Sequence, residues 1–393
     1  MFKISLDKHR NLICALLLAM LSTAILSNCG ISGERQFAEL PVFSSYRDIP
    51  GVTDEEINAI EELRKQTEYF IYGMMPATEA FLGKDGEIKG YSALFCKWMA
   101  ELFEIPFIPG LYTWNDLLDG LENGEVDFAG NMTASEERRQ KYLMTDGIAQ
   151  RMLKYFRLTG SAPIPEIAKT RLPRYALLTG TTTVRDVFLH AGEEFEPVYI
   201  SDLSEAYELL KTGKADALIA ENTSEAFFDF YGDIVTTNFL PLIYTPVSLS
   251  AQNQELAPII SVMQKALEND AVRYLNELYN QGYKEYLKHK LLTRLNEEEL
   301  AYINTNPVIP FAAEYDNYPV SFYNTRAREW QGICFDVLRE IELLTGLEFV
   351  VSHDQRTEWS ALLGMLEDGD ALIVSELVRT KDREGRFLWP HSS

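Results

Sequence analysis

A pattern of residues recurs in this chain at an offset of about 240 positions, which indicates two copies of one domain and not a short-period solenoid. The matching segments are 53–57 with 296–300, Gly90 with Gly332, Trp114 with Trp359, and 138–143 with 383–388. The offset drifts by only a few residues over this span. Residue 393 then corresponds to position 148, so we expect the second copy to contain only the first part of the domain.

The composition is that of a globular protein with an acidic surface. With 393 residues, the chain is long enough for two or more cores. Of these residues, 46% are hydrophobic and 12% are aromatic, as in globular proteins. The formal net charge is −23 at pH 7. Such a surface repels phosphate backbones and anionic headgroups, so it disfavours nucleic-acid binding.

The N-terminus has the pattern of an export signal. Basic residues precede an apolar run over 12–26, which is shorter than the ~20 residues that a membrane span needs. Three alternatives stay open. The segment 26–30 resembles a bacterial lipobox in which Cys29 becomes acylated, residues 22–24 offer an ordinary cleavage site, and the signal could remain as an uncleaved anchor. Each alternative places the rest of the chain outside the cytoplasmic membrane.

The two remaining cysteines, Cys96 and Cys334, do not occupy equivalent positions in the repeat. Their apolar, helical surroundings indicate ordinary buried thiols. No spacing along the chain is that of a metal site or a redox pair. The sequence therefore predicts neither a metal nor a cofactor.

Strand and helix patterns alternate along the chain, which predicts an open α/β sheet. One series of units spans about 69–129, and another begins near 175. Two extended crossings, near 153–158 and 239–249, join these units into a hinged, two-lobed clamshell with a ligand cleft between the lobes. Ligands of open sheets sit at the carboxyl ends of strands and the N-termini of the following helices.

The predicted divisions of the chain follow from these patterns. They are an export segment (1–30), a tether with a short helix (31–64), a first domain (65–290), a linker helix (291–304) and a partial second domain (305–393). Lobe 1 of the first domain comprises about 65–150 and 245–290, and lobe 2 comprises about 151–244. A capping box formed by Thr53 and Glu56 opens the short helix.

Several short motifs occur in a characteristic order. They are Gly90-Tyr91, Trp114-x-x-Leu117-Leu118, Gly124-Glu125-Val126-Asp127, Thr133-x-x-x-x-Arg138, Gly180-Thr181-Thr182 and Gly213-Lys214-Ala215-Asp216-Ala217. Together they resemble the family 3 bacterial extracellular solute-binding proteins, whose fold is the type II periplasmic-binding clamshell. The resemblance covers the first domain in full and the second in part. Two such copies in tandem resemble the ectodomains of bacterial sensors, whose cytoplasmic output is a histidine kinase or a diguanylate cyclase.

The resemblance implies a ligand-binding site. Arg138 corresponds to the family residue that pairs with a ligand α-carboxylate. A guanidinium group suits this role because it can donate two parallel hydrogen bonds to a carboxylate. Glu221 corresponds to the acid that holds the ligand ammonium group, so the two residues together would bind a zwitterion across the cleft. The alternatives are a surface arginine on a charged helix and an acid placed in the first turn of a helix.

Further side chains are candidates for the same site. Asn131 and Thr133 follow a strand, where their donors could supplement the carboxylate contact. Thr181 and Thr182 begin a helix of lobe 2, where free N–H groups favour an anion, although plain N-capping also explains them. Tyr72 and Met75 could form ligand walls or belong to the core.

The second copy keeps the arginine, as Arg383, but Glu376 stands at the position of Asn131 and Val378 at that of Thr133. A carboxylate at this place would repel a ligand carboxylate. We therefore expect no complete site in the second copy.

These features predict a binding module, the extracytoplasmic sensing region of a transmembrane signalling protein, with a small amino acid-like molecule as its partner. A solute-binding lipoprotein of an ABC importer is the first alternative, but a shuttle needs only one domain. An enzyme on the same fold, such as a dehydratase or a lytic transglycosylase, is the second. No nucleophile–base or paired-carboxylate arrangement favours it, so we expect no enzymatic activity.

Overall fold

The computed structural model describes residues 43–192 and 194–389. The predicted export segment and its Cys29 lie outside these residues. The first element after a short 3-10 turn is helix α1 (Asp54–Gln66), which begins at the predicted capping box. Thr53 accepts from the backbone N–H of Glu56, and Glu56 accepts from the N–H of Thr53. The predicted short helix is therefore confirmed.

Lobe 1 of the first domain is built on a sheet with helices packed against it. Its elements are β1 (Phe70–Met74), β2 (Phe81–Leu82), β3 (Ile88–Lys89), α2 (Tyr91–Phe103), β4 (Phe107–Leu111), α3 (Trp114–Asn123), β5 (Phe128–Met132) and α4 (Glu136–Lys141). Strands β4, β1 and β5 lie parallel in that order. Buried side chains of β1, α2 and β5 meet in the core of this lobe, among them the aromatic residues Phe70, Phe95 and Phe128.

Strand β6 (Leu143–Leu158) leaves lobe 1 and enters lobe 2. Lobe 2 continues with α5 (Ile164–Ala168), β7 (Arg174–Leu178), α6 (Thr182–His190), β8 (Glu196–Ile200), α7 (Leu203–Lys211), β9 (Ala217–Glu221), α8 (Glu225–Phe228) and β10 (Ile234–Asn238). Strands β9, β7 and β8 are parallel, and β6 runs antiparallel to β9 and β10.

The chain returns to lobe 1 through β11 (Tyr244–Ala251), which pairs antiparallel with β6 and with β5. The two predicted crossings are thus present. The first is much longer than predicted. The second corresponds to β11, which begins later than predicted, at Tyr244, and ends at Ala251. Helices α9 (Ala257–Ala266) and α10 (Val272–Arg294) then complete lobe 1.

Helix α11 (Glu297–Thr305) precedes the predicted second domain. It begins later than the predicted linker helix, 291–304, because α10 continues to Arg294. Its elements are β12 (Val308–Ala312), β13 (Asp316–Asn317), β14 (Ser321–Asn324), β15 (Glu329–Gln331), α12 (Ile333–Thr345), β16 (Glu348–Val351), α13 (Trp359–Asp368) and β17 (Ile373–Val374). Helix α12 packs against α10 of the first domain.

The second domain repeats local features of the first. Strands β16, β12 and β17 are parallel in that order, as β4, β1 and β5 are. Arg138 Nη1 donates to the carbonyl oxygen of Thr133 at 3.0 Å, and Arg383 Nη1 donates to that of Val378 at 3.0 Å. These features are shared locally, and the duplication of the domain stays a prediction.

Gly282 lies at the closest approach of helices α10 and α2. A Cβ atom at this position would lie 2.2 Å from the backbone nitrogen of Tyr91. We expect Gly282→Ala to destabilise the first domain by roughly 1–3 kcal/mol, because the two backbones must separate. Gly364→Ala in α13 is the matched control, since its Cβ would have no neighbour within 4 Å. Chemical denaturation of both variants tests this, and equal stabilities would contradict it.

Glu56 also connects α1 to α9. Its carboxylate accepts from Lys265 Nζ at 2.6 Å and from the Ser261 hydroxyl at 2.7 Å. Burial alone would raise the pKa of Glu56, but these contacts and the bond from the Thr53 amide outweigh it and lower the pKa to about 2. A carboxylate whose pKa is lowered in the folded state stabilises the folded protein at pH values above its ordinary pKa, near 4.5. This stabilisation is lost as the pH falls towards 2.

We therefore expect the wild-type protein to lose roughly 2 kcal/mol more stability than Glu56→Gln between pH 4.5 and pH 2. Urea denaturation at several pH values measures the difference. Parallel pH profiles for the two proteins would show that Glu56 does not contribute in this way.

Candidate ligand cleft between the lobes

A cavity of about 70 Å³ lies between the lobes of the first domain, where the end of β5 faces the end of β9 and the start of α6. Among its lining residues are most of those predicted from the sequence. They are Met75, Asn131, Thr133, Arg138, Thr181, Thr182 and Glu221. The carboxyl ends of strands and a helix N-terminus thus meet at one place, as in other open α/β sheets.

Arg138 is half-buried at the cavity and is held by backbone carbonyl groups. Its Nη1 donates to the carbonyl oxygen of Thr133 at 3.0 Å, and its Nη2 lies 3.4 Å from the carbonyl oxygen of Gly180 in lobe 2. The guanidinium stands over the Trp114 ring at 5.7 Å. Burial lowers the pKa of Arg138, yet no carboxylate in the described part of the chain forms an ion pair with it. This cation is therefore available to an anion in the cleft.

Asn131 offers a second donor beside Arg138. Its side chain is 8% exposed, and its Oδ1 accepts from the backbone N–H of Met75 at 3.3 Å. This bond orients the amide, and within residues 43–192 and 194–389 no group accepts from Nδ2. A buried donor without an acceptor is costly, so the cavity favours a ligand that carries one.

Helix α6 begins at the other side of the cavity. The Thr181 hydroxyl donates to the carbonyl oxygen of Leu178 at 2.8 Å and makes no capping bond to the helix. Side-chain capping by Thr181, the simpler alternative from the sequence, is therefore not observed. Because Thr181 does not cap α6, the first amides of this helix can donate to a ligand or to water.

Glu221 ends strand β9 and belongs to a buried ion cluster. Arg151 on β6 donates from Nη1 to Glu221 Oε2 at 2.7 Å. It also donates from Nη2 and Nε to the two carboxylate oxygens of Glu79 at 2.6 and 3.2 Å. The side chains of Arg151 and Glu79 are 2% and 3% exposed, whereas that of Glu221 is 20% exposed. Burial alone would lower the pKa of Arg151, but the two carboxylates outweigh it and raise this pKa.

Residues 72–230 match the family model described as bacterial extracellular solute-binding proteins, family 3. The matched residues of the first domain, 72–230, belong to a family 3 solute-binding domain. The predicted family and its two-lobed α/β fold are thereby confirmed. Comparison with curated proteins gave no match.

Three solved structures illustrate the relatives of the solute-binding domain. A mutant of ArgBP from T. maritima is 21% identical and has a TM-score of 0.43, with 57% of this chain and 99% of that chain covered. The ancestral amino acid-binding protein AncCDT-1, a precursor of cyclohexadienyl dehydratase, is 17% identical at a TM-score of 0.44, with 57% and 99% covered. The periplasmic VFT2 domain of BvgS from Bordetella pertussis is 16% identical at a TM-score of 0.48, with 57% and 97% covered.

Tyr72 does not line the cavity of the solute-binding domain, so its prediction as a ligand wall is wrong. The side chain is 1% exposed, and its ring packs against that of Phe95 with centroids 5.5 Å apart. Met75, three residues later, does reach the cavity. The core alternative considered for both residues therefore applies to Tyr72 alone.

Arg151 and Glu79 are the residues that sequence reasoning missed. The sequence does contain a signal for both, because each is the one charged residue in a mostly apolar or small-residue stretch, 148–153 and 77–81. Charged side chains are rarely buried in such stretches unless they are paired. Residues so far apart in sequence could not be matched to each other from the pattern alone.

The described residues contain no group of three or more histidine, cysteine, aspartate or glutamate side chains placed to hold a metal ion. None of the helices within 43–192 and 194–389 has the length and apolar character to span a membrane. Cys96 is buried and Cys334 is half-buried, and neither forms a disulfide.

Proposed function

We propose that the first domain binds a small amino acid in the cleft between its lobes. The observation that carries this proposal is the Arg138 guanidinium, which faces the cavity without an acidic partner in the described structure and stands beside the unpaired Asn131 amide. A ligand carboxylate satisfies both groups, and it can accept two parallel bonds from the guanidinium.

The ammonium group of the ligand would bind at Glu221. The cluster of Glu79, Arg151 and Glu221 contains two carboxylates and one guanidinium, so one negative charge is in excess. Arg151 engages Glu221 Oε2, and Oε1 is left for a ligand donor. The positive charge of Arg138 on one side of the cavity and this excess negative charge on the other match a zwitterion.

Binding would serve a sensor at the outer face of a bacterial cell membrane, with the cytoplasmic output on another part of the protein. Helix α10 supports this role over that of a transport shuttle. Asp229 of lobe 2 accepts from Lys290 of this helix at 2.6 Å, and the same helix packs against α12 of the second domain. Helix α10 thus contacts both lobe 2 and the second domain.

Thermal unfolding and calorimetric titration of the full chain with the twenty amino acids test the proposed function. A ligand at a hundredfold excess over its dissociation constant should stabilise the protein by about 2.7 kcal/mol. Simple carboxylates and amines, such as acetate and ethylamine, serve as controls, because each satisfies only one side of the cavity. The absence of a shift with every amino acid would reject the proposal.

A further inference from the structure

We propose that Arg151 restricts the cleft to amino acids with short, uncharged side chains and excludes cationic ones. The inference rests on the proposed function and names the class of ligand for the same site. Arg151 is buried, and it is one of the residues that line the cavity.

The first step is the size of the cavity, which is small in this arrangement of the lobes. At about 70 Å³ it accepts only a few water-sized groups, since each needs at least about 10–15 Å³. The carboxylate, α-carbon and ammonium group common to all amino acids already use much of such a space. Little room is left for a side chain, which favours short ones.

The second step is charge. A lysine or arginine ligand brings a second cation, and the cluster has only one negative charge in excess, which the α-ammonium group already uses. Both oxygens of Glu79 are engaged by Arg151. A cationic side chain would therefore face the Arg151 guanidinium without a carboxylate of its own, and like charges in such a place repel strongly.

The third step is that Arg151 cannot easily move aside. Its side chain is 2% exposed and makes two bonds to Glu79 and one to Glu221. A backbone bond from the Thr78 N–H to the carbonyl oxygen of Thr223, at 3.0 Å, holds the segments that carry these two acids together. Moving Arg151 would leave two buried or partly buried carboxylates unpaired, which is costly.

The test is a calorimetric comparison of glycine, L-alanine, L-serine, L-lysine and L-arginine on the full chain. We expect the small uncharged ligands to bind about 100-fold or more tightly than the two cationic ones. Binding of arginine or lysine as tight as that of alanine would overturn the inference and leave the proposed function intact. If no amino acid binds, the proposed function fails and the inference with it.

Two variants separate charge from size. Glu79→Gln/Arg151→Met removes the guanidinium together with its buried partner, and should shift the ratio of arginine to alanine affinity towards arginine by tenfold or more. Leu203→Ala, in the cavity wall, should admit larger uncharged side chains such as valine without improving arginine binding. Arg171→Met is the control, because Arg171 pairs with Asp216 and does not line the cavity, so its replacement should leave selectivity unchanged.

An unchanged ratio in the folded double variant would overturn the role of Arg151. Should that variant not fold, Leu203→Ala decides the inference, because it relieves the size limit and leaves Arg151 in place. Binding of valine with continued exclusion of arginine supports the inference, and arginine binding as tight as that of valine rejects it.

Discussion

Arg138→Met should reduce the affinity of the first domain for its amino acid ligand by roughly 2–4 kcal/mol, with little change in the stability of the free protein. The guanidinium makes the charge-assisted contact to the ligand carboxylate, whereas its own bonds within the protein are to two carbonyl groups. Calorimetry measures the affinity, and chemical denaturation measures the stability. Arg138→Lys should recover only part of the loss, because an ammonium group lacks the planar fork.

Lys141→Met is the matched control for this prediction. Lys141 lies on the same short helix and has the same charge, but it pairs with Glu122 on the surface. Its replacement should leave ligand affinity nearly unchanged. If Arg138→Met and Lys141→Met bind the ligand equally well, Arg138 is a surface residue and not a ligand contact.

Arg151→Met should destabilise the protein by roughly 3–5 kcal/mol, because it leaves Glu79 buried without a counter-ion. The double variant Glu79→Gln/Arg151→Met should recover a large part of this loss, since it removes the stranded charge. Urea or guanidinium denaturation gives both values. The difference between the single and double variants isolates the cost of the unpaired carboxylate from the loss of packing.

Arg171→Met provides the comparison with a partly exposed ion pair. The Arg171 side chain is 44% exposed, and its partner Asp216 keeps a second cation, Arg174, so we expect a loss of about 1 kcal/mol. A loss of the same size for Arg151→Met and Arg171→Met would show that the buried cluster has no special role in stability.

The sequence predicted the fold well because its signals are local. The alternation of strand and helix periods reflects which face each element buries, so the βαβ order, the crossing strands and the capping box at Thr53 could be predicted. The ends of elements were less accurate. Strand β6 extends well beyond its apolar segment, because pairing with β11 continues through polar residues such as Gln150.

Site residues could be predicted where a motif places them at the end of a strand or the start of a helix. Arg138, Glu221 and Thr181 are such residues, and the structure brings all three to one cavity. Tyr72 was misplaced because β1 is buried on both faces, so alternation does not indicate which side chains face the cleft. Arg151 and Glu79 were missed because their pairing depends on how the crossing strand meets lobe 1, which no local pattern encodes.

A crystal structure of the full chain grown with L-alanine tests the central claim most directly. We predict electron density for the amino acid between the lobes, with its carboxylate oxygens about 2.7–3.2 Å from the Arg138 guanidinium and the Asn131 amide. Its ammonium group should lie at a similar distance from Glu221. An empty cleft at saturating alanine, or a ligand carboxylate bound away from Arg138, would contradict the account.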